Sequence, residues 1–174
     1  VPEIRQALFP DDADAIARID TSFTTDTIYD VRLAGDSFEI TPTPVDPPIV
    51  KTFPIDGLGG WRAWERSWVA TAGDAVVGFC AVREQQWNRQ LVLWHLYVDR
   101  AARGQGHGHA LLETAIADAR ANDAYAVWLE TSNLDYPAVQ WYRAHGFELC
   151  GLDTLRYEPT YASGEIALYM ARRL

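Results

Sequence analysis

One stretch limits what this chain can fold into more than any other, LVLWHLYVDRAARGQGHGHALL at residues 91–112. Its apolar start, residues 91–98, has the length and content of a strand. A basic and then glycine-rich loop follows, RGQGHG at 103–108. Beyond it, Leu111, Leu112, Ala115, Ile116 and Ala119 recur at the spacing of one helix face. Strand, glycine loop and helix together present bare backbone N–H groups to a phosphate. The glycines allow close approach, and the helix N-terminus adds partial positive charge.

Spacing narrows the ligand. After Gly104 and Gly106 the third position of GxGxxG is His109, and after Gly106 and Gly108 it is Leu111, so no dinucleotide fingerprint is present. GxxxxGK[ST] is absent as well. What fits is RxxGxG, formed by Arg103, Gly106 and Gly108. It resembles the pyrophosphate loop of the GNAT superfamily of acyl-CoA N-acyltransferases. By average composition, roughly one chain in 25 of this length carries the spacing by chance.

A second segment supports the resemblance, ETSNLDYPAVQWYRAHGF at 130–147. Its Ala138, Tyr142 and Gly146-Phe147 are similar to the GNAT segment whose tyrosine ends near the thioester sulfur. The spacing of Glu130 and Tyr142 also occurs in the branch that acetylates ribosomal-protein N-termini, where such a pair is assigned as base and acid. The resemblance implies an α/β (α+β) GNAT fold, a mixed and mostly antiparallel twisted sheet flanked by helices. It also implies acetyl-CoA as cosubstrate and no metal.

Site roles follow from the resemblance. Arg103, Gly104, Gln105, Gly106, His107 and Gly108 are expected on the diphosphate. A backbone N–H among Leu96, Tyr97 and Val98 is expected at the oxyanion. Asn133 and Asp135 are expected near the pantetheine. Asp135 stands where the family usually has asparagine. A lysine-like amine is neutral in only about one molecule in 2,500 at pH 7, a gap of about 4.6 kcal/mol. Glu130, directly or through water, is the expected acceptor of that ammonium proton, and Tyr142 the expected donor to the departing thiolate.

Four further stretches look like one subfamily, the streptothricin acetyltransferases. They are SFTTDTIYDV at 22–31, DPPIVKTFP at 46–54, WNRQL at 87–91, and FELCGLDTLRY with GEIALYM across 147–170. That subfamily acetylates an amine of the β-lysine part of its antibiotic. The implied substrate is therefore a small cation, for which Phe23, Asp26, Tyr29, Trp94 and Tyr157 are the expected contacts. Asp30, Glu84, Glu165 and Tyr161 are further candidates. Trp94-His95 departs from the subfamily, which tends to place acidic residues there. Acetylation of a protein N-terminus or a polyamine, or a non-catalytic CoA-binding domain, are the competing readings.

Composition agrees. The 174 residues fit one domain over 1–174, and 48% hydrophobic content supplies a core. A formal net charge of −9 argues against nucleic acid or an anionic membrane as partner and suits a cationic substrate. Without a signal-like or membrane-spanning apolar run, the cytoplasm is the expected compartment. Cys80 and Cys150 lie among apolar residues and are expected as buried free thiols. Dimers are common in the superfamily, and Trp61, Trp64 and Trp68, at helix-like intervals, are candidates for a homodimer contact.

Local signals predict strands over 3–8, 91–98, 126–131, 148–157 and 166–172, and hairpins of 28–33 with 37–41 and of 67–72 with 75–83. Helices are predicted over 11–19, 108–122 and 137–145, the last stopped by Gly146. Pro42, Pro44, Pro47 and Pro48 predict an irregular connection running through Gly57, Gly59 and Gly60. His95 and Tyr97 are expected on the opposite strand face from Trp94 and Leu96.

Overall fold

The computed structural model describes residues 2–159 and 164–174. In chain order the elements are β1 (Glu3–Gln6), α1 (Ala13–Ala17), β2 (Phe23–Ala34), β3 (Ser37–Lys51), β4 (Arg66–Ala72), β5 (Ala75–Gln85) and β6 (Gln90–Val98). Then come α2 (His107–Ala121), β7 (Ala126–Ser132), α3 (Tyr136–Ala144), β8 (Glu148–Asp153) and β9 (Ala167–Arg173). The backbone groups into two compact units. One holds residues 1–22, 52–128 and 173–174, the other 23–51 and 129–172.

In the first unit the strand order is β1-β4-β5-β6 and then the start of β7, with the first three pairings antiparallel. Leu111, Leu112, Ala115, Ile116 and Ala119 of α2 are all fully buried, as their spacing requires. Each large one of them contributes about 1.5–3 kcal/mol of apolar burial. Gly78 on β5 lets α2 come this close, since a Cβ there would sit 3.0 Å from Leu111 Cδ1. On the α1 side Ala7, Ile16, Ile19, Trp64, Val69, Phe79 and Ala81 form a cluster. Helix α1 is shorter than its pattern, because Asp12 turns its carboxylate to Arg5, at 2.7 Å, and to the Leu8 amide rather than capping the helix.

The second unit carries the rest of β7, with β9 and β8 beside it in that order and β8–β9 antiparallel. It also holds the ribbon β2–β3, whose α3-facing strand is β2. The prolines are a correction. All four lie in β3, not in an irregular connection. Among the described residues strand β3 pairs only with β2, so one edge needs no donors, and Pro42 and Pro44, two residues apart, present the same edge. Pro47 and Pro48 fall where the register jumps from Thr27–Pro44 to Thr25–Ile49.

Other expectations also change. Trp61, Trp64 and Trp68 form no helix. Trp64 is buried, Trp68 lies on β4, and Trp61 is 87% exposed. Cys80 is a buried free thiol, but Cys150 is exposed. Trp94 packs on the same cluster as Tyr97 rather than on the opposite face. The register explains it. Ala81 faces His95 and Val82 faces Leu93, so Trp94 is the extra residue of a bulge, which breaks strict alternation. No helix among the described residues is long and apolar enough to cross a membrane.

Candidate active site

The glycine turn of the first unit is braced by side chains so that its backbone is what faces outward. After β6, Asp99 accepts the Ala101 amide at 3.0 Å and the Asp20 amide at 3.0 Å. Arg103 donates from Nε to the Val98 carbonyl at 3.1 Å and from Nη2 to the Asp20 carbonyl at 3.3 Å. Its guanidinium thus ties the turn to the end of β6. Gly104 and Gly106 have φ of +77° and +89°, a region costly to any residue with a Cβ. The first amide bonded within α2 is that of Ala110, to the Gly106 carbonyl at 3.0 Å. The preceding first-turn amides therefore stand outside the helical ladder, at its positive end. Gly104, Gln105 and Gly106 are exposed, so this cradle suits a diphosphate.

His107 points inward instead. It is buried, and its Nδ1 has no hydrogen-bond partner among the described residues. His109 is exposed, so the two imidazoles do not share a face. On β6, Leu96, Tyr97 and Val98 pair with Cys80, Phe79 and Gly78, and the ladder is interrupted nearby at Trp94. His95 is buried and bonds Asp56 at 2.7 Å. Burial holds its imidazole below the usual histidine range, partly offset by that carboxylate.

In the second unit, β7 carries Glu130 in a half-buried position. Arg156 donates to it from Nε at 2.8 Å. The Tyr157 hydroxyl also bonds it, and burial followed by the Glu130 charge pushes that phenol far above the usual tyrosine range. The same two influences, burial first and then Asp153 and Glu130, raise Tyr169. The Glu130 charge is also the main reason that the Arg156 guanidinium is held more firmly protonated. Tyr157, an expected substrate contact, therefore lies beside Glu130, the expected base.

Tyr142 projects from α3, its ring edge-on to Phe147 at 5.5 Å and to Trp141 at 5.2 Å. Helix α3 begins at the Asp135 cap, whose carboxylate accepts the Ala138 amide at 3.1 Å. Asn133 is buried and committed internally. It donates to the Tyr29 carbonyl at 2.9 Å and accepts the Ile166 amide at 2.8 Å. Its side chain braces the protein rather than facing a ligand.

Several expected substrate contacts turn out to be structural. Tyr29 is 2% exposed, and its oxygen accepts from Gln140 at 2.6 Å and from Arg143 at 2.7 Å. Its ring packs on Tyr136 at 5.1 Å, so it locks β2 to α3 instead of meeting a ligand. Phe23 is buried as well. Glu165 is buried between Lys51 and Ser132. Asp30 pairs with Arg32 at 2.6 Å, and Glu84 lies 3.7 Å from Arg66. Asp26 remains exposed on β2. Tyr161 lies outside the described residues. Arg156, Lys51 and Ser132 had no sequence signal. Nothing local marks a side chain whose partner is many residues away.

Comparison with known proteins adds the following. The acetyltransferase (GNAT) family matches residues 38–147. A streptothricin acetyltransferase of Streptomyces lavendulae is 41% identical over 170 residues, covering 93% of this chain and 90% of that protein. The crystal structure of a nourseothricin acetyltransferase superposes with a TM-score of 0.90 at 42% identity, over 99% of this chain and 98% of that one. A Bacillus anthracis protein in complex with acetyl coenzyme A shares the fold, with a TM-score of 0.82 at 24% identity over 100% of this chain and 99% of its own.

Proposed function

The chain belongs to the acetyltransferase (GNAT) family, and from that premise we propose that it acetylates a primary amine of a small cation, the β-lysine amine of streptothricin. One observation carries the choice of substrate. The likeness to the Streptomyces lavendulae enzyme extends across 93% of this chain, well beyond the family match at 38–147. It therefore takes in segments outside the part associated with the family as a whole. The net charge of −9 favours a polycationic partner through long-range attraction.

Acetyl coenzyme A, when bound, supplies an activated acetyl group. The turn at Arg103 to Gly108 is the proposed holder of its diphosphate, and the two positive-φ glycines with the start of α2 fit that group. An amide near the Trp94 bulge, among Leu96, Tyr97 and Val98, is the proposed oxyanion donor. Glu130 takes the ammonium proton, directly or through water. The freed lone pair forms the new C–N bond as the C–S bond breaks, Tyr142 gives its proton to the sulfur, and the second proton shed by the acylated nitrogen restores the tyrosine. Asp26, Trp94 and Tyr157 are the proposed amine contacts. A cytoplasmic enzyme, working where acetyl coenzyme A is made, fits this reading, and of Trp61, Trp64 and Trp68 the 87%-exposed Trp61 is the proposed homodimer contact.

A thiol-release assay with acetyl-CoA and a panel of amines tests the proposal. Release with streptothricin, and not with peptides or polyamines, is the expected result. Release with peptides or polyamines moves the substrate elsewhere. Tight CoA binding with no release by any amine removes catalysis.

A further inference from the structure

Glu130 already holds a cation, supplied by the chain itself. Two carboxylates of the second unit invite comparison. Glu165 is 4% exposed, receives the Ser132 hydroxyl at 2.7 Å and pairs with Lys51. Removing a partner from so buried a group leaves an uncompensated charge, which is strongly unfavourable. Glu130 is different. Its partner Arg156 is 51% exposed and its own side chain 22% exposed. Ion pairs this accessible shift an equilibrium by about fivefold at most. One carboxylate is locked and the other is held by a weak, removable cation.

The surroundings suit exchange. The Tyr157 hydroxyl also bonds Glu130, so the carboxylate keeps one donor if the guanidinium leaves. Asp153 accepts from the Tyr169 hydroxyl at 3.3 Å and adds negative potential nearby. Among the described residues, the charged side chains that act on Tyr157 and Tyr169 are Glu130, Asp153 and Arg156, and of these Arg156 is the cation. An incoming ammonium thus meets the kind of environment that the guanidinium now occupies.

We propose that Arg156 is a stand-in for the substrate cation, displaced from Glu130 by the ammonium group of the amine substrate, and that it thereby sets amine affinity. The proposal rests on the reading of a cationic amine as substrate and deepens it. Arg156 is a specificity-determining residue, since it acts by occupying Glu130. It keeps neutral or weakly cationic molecules off the carboxylate and yields to a polyvalent cation whose other charges are held elsewhere.

The test is calorimetric binding of streptothricin to the full chain with CoA present, so that no acetyl transfer occurs. Wild type, Arg156→Gln, Glu130→Gln and the double variant are compared, each first checked for an unchanged fold by circular dichroism and thermal melting. Arg156→Gln is expected to tighten binding about three- to fivefold, the range of an accessible ion pair. In the Glu130→Gln background the same change is expected to alter binding by less than about 1.5-fold. Equal or weaker binding by folded Arg156→Gln overturns the proposal and makes Arg156 a brace. Tightening of the same size in both backgrounds also overturns it, because the effect is then general charge repulsion. If Arg156→Gln does not fold, Arg156→Lys is compared in both backgrounds, and a dependence of its effect on Glu130 is again required. No binding by wild type or variant removes the substrate reading and the displacement together. Binding that follows the expected pattern while Glu130→Gln retains full turnover separates the two, keeping the displacement and removing Glu130 as base.

Discussion

The glycine turn before α2 and the cluster around Glu130 are built on opposite plans. The turn offers main chain. Its side chains, Arg103 and Asp99, reach back to carbonyls and amides at 3.0–3.3 Å and hold the backbone in shape. The Glu130 cluster offers side chains. Glu130, the adjacent pair Arg156 and Tyr157, and Tyr169 come from three separate segments and tune one another through charge and burial. A backbone site recognises what all ligands of a class share, here a diphosphate. A side-chain site is where one acceptor is told from another, since any member can change without altering the main chain.

The largest effect expected within this contrast belongs to Tyr142→Phe. Loss of the proton donor is predicted to lower kcat about 100-fold or more while the CoA dissociation constant stays within about twofold. Unchanged turnover would remove Tyr142 as the acid. Gly106→Val probes the other plan. A β-branched residue at φ +89° distorts the start of α2, so CoA binding is predicted to weaken about tenfold, with streptothricin binding retained. Calorimetry with each ligand separately checks this, and equal loss of both would mean that the turn has no dedicated ligand.

Glu130→Gln is predicted to move the pH–rate profile to higher pH, because the ammonium must then lose its proton without help from the carboxylate. An unaltered profile would point to another base or to ordered water. Tyr29→Phe keeps the ring on Tyr136 but removes the acceptor for Gln140 and Arg143. It is predicted to cost about 1–2 kcal/mol in urea unfolding. A cost near zero would show that β2 and α3 are held by packing alone.

The smallest expected effect concerns His95, whose imidazole is held below its ordinary range by burial. As pH falls below about 6.5, the unfolded chain gains a proton that the folded chain resists. Stability is therefore predicted to fall from that pH downward, through the lowered folded value. His95→Asn removes this dependence. Urea midpoints at neutral and mildly acidic pH compare the two proteins, and identical slopes would mean that Asp56 fully compensates the burial.

Local signals were enough where the physics is local. The 3.6-residue spacing of Leu111, Leu112, Ala115, Ile116 and Ala119 marks α2 without ambiguity, and each of them is buried. Gly104 and Gly106 announce a turn that needs positive φ. Other elements failed for identifiable reasons. Proline lowers strand propensity everywhere except at an unpaired edge, and nothing in residues 42–48 reveals that β3 has such an edge. Alternation misplaced Trp94 because a bulge depends on register with β5. Tyr29 resembled a ligand contact, yet its hydroxyl is used by Gln140 and Arg143, more than a hundred positions away.

By itself the sequence determined the glycine turn, the helix that follows it and the hairpin β4–β5, because backbone conformation and side-chain period act over a few residues; the acyltransferase family was legible only through the resemblance of residues 103–108 and 130–147 to known members. Only the tertiary structure decided which carboxylates are locked and which are accessible. Glu130 and Glu165 are the same residue type, one on β7 and the other two residues before β9. One sits beneath Lys51 and Ser132 and the other beside a half-exposed arginine, and that difference in desolvation arises only when distant segments pack.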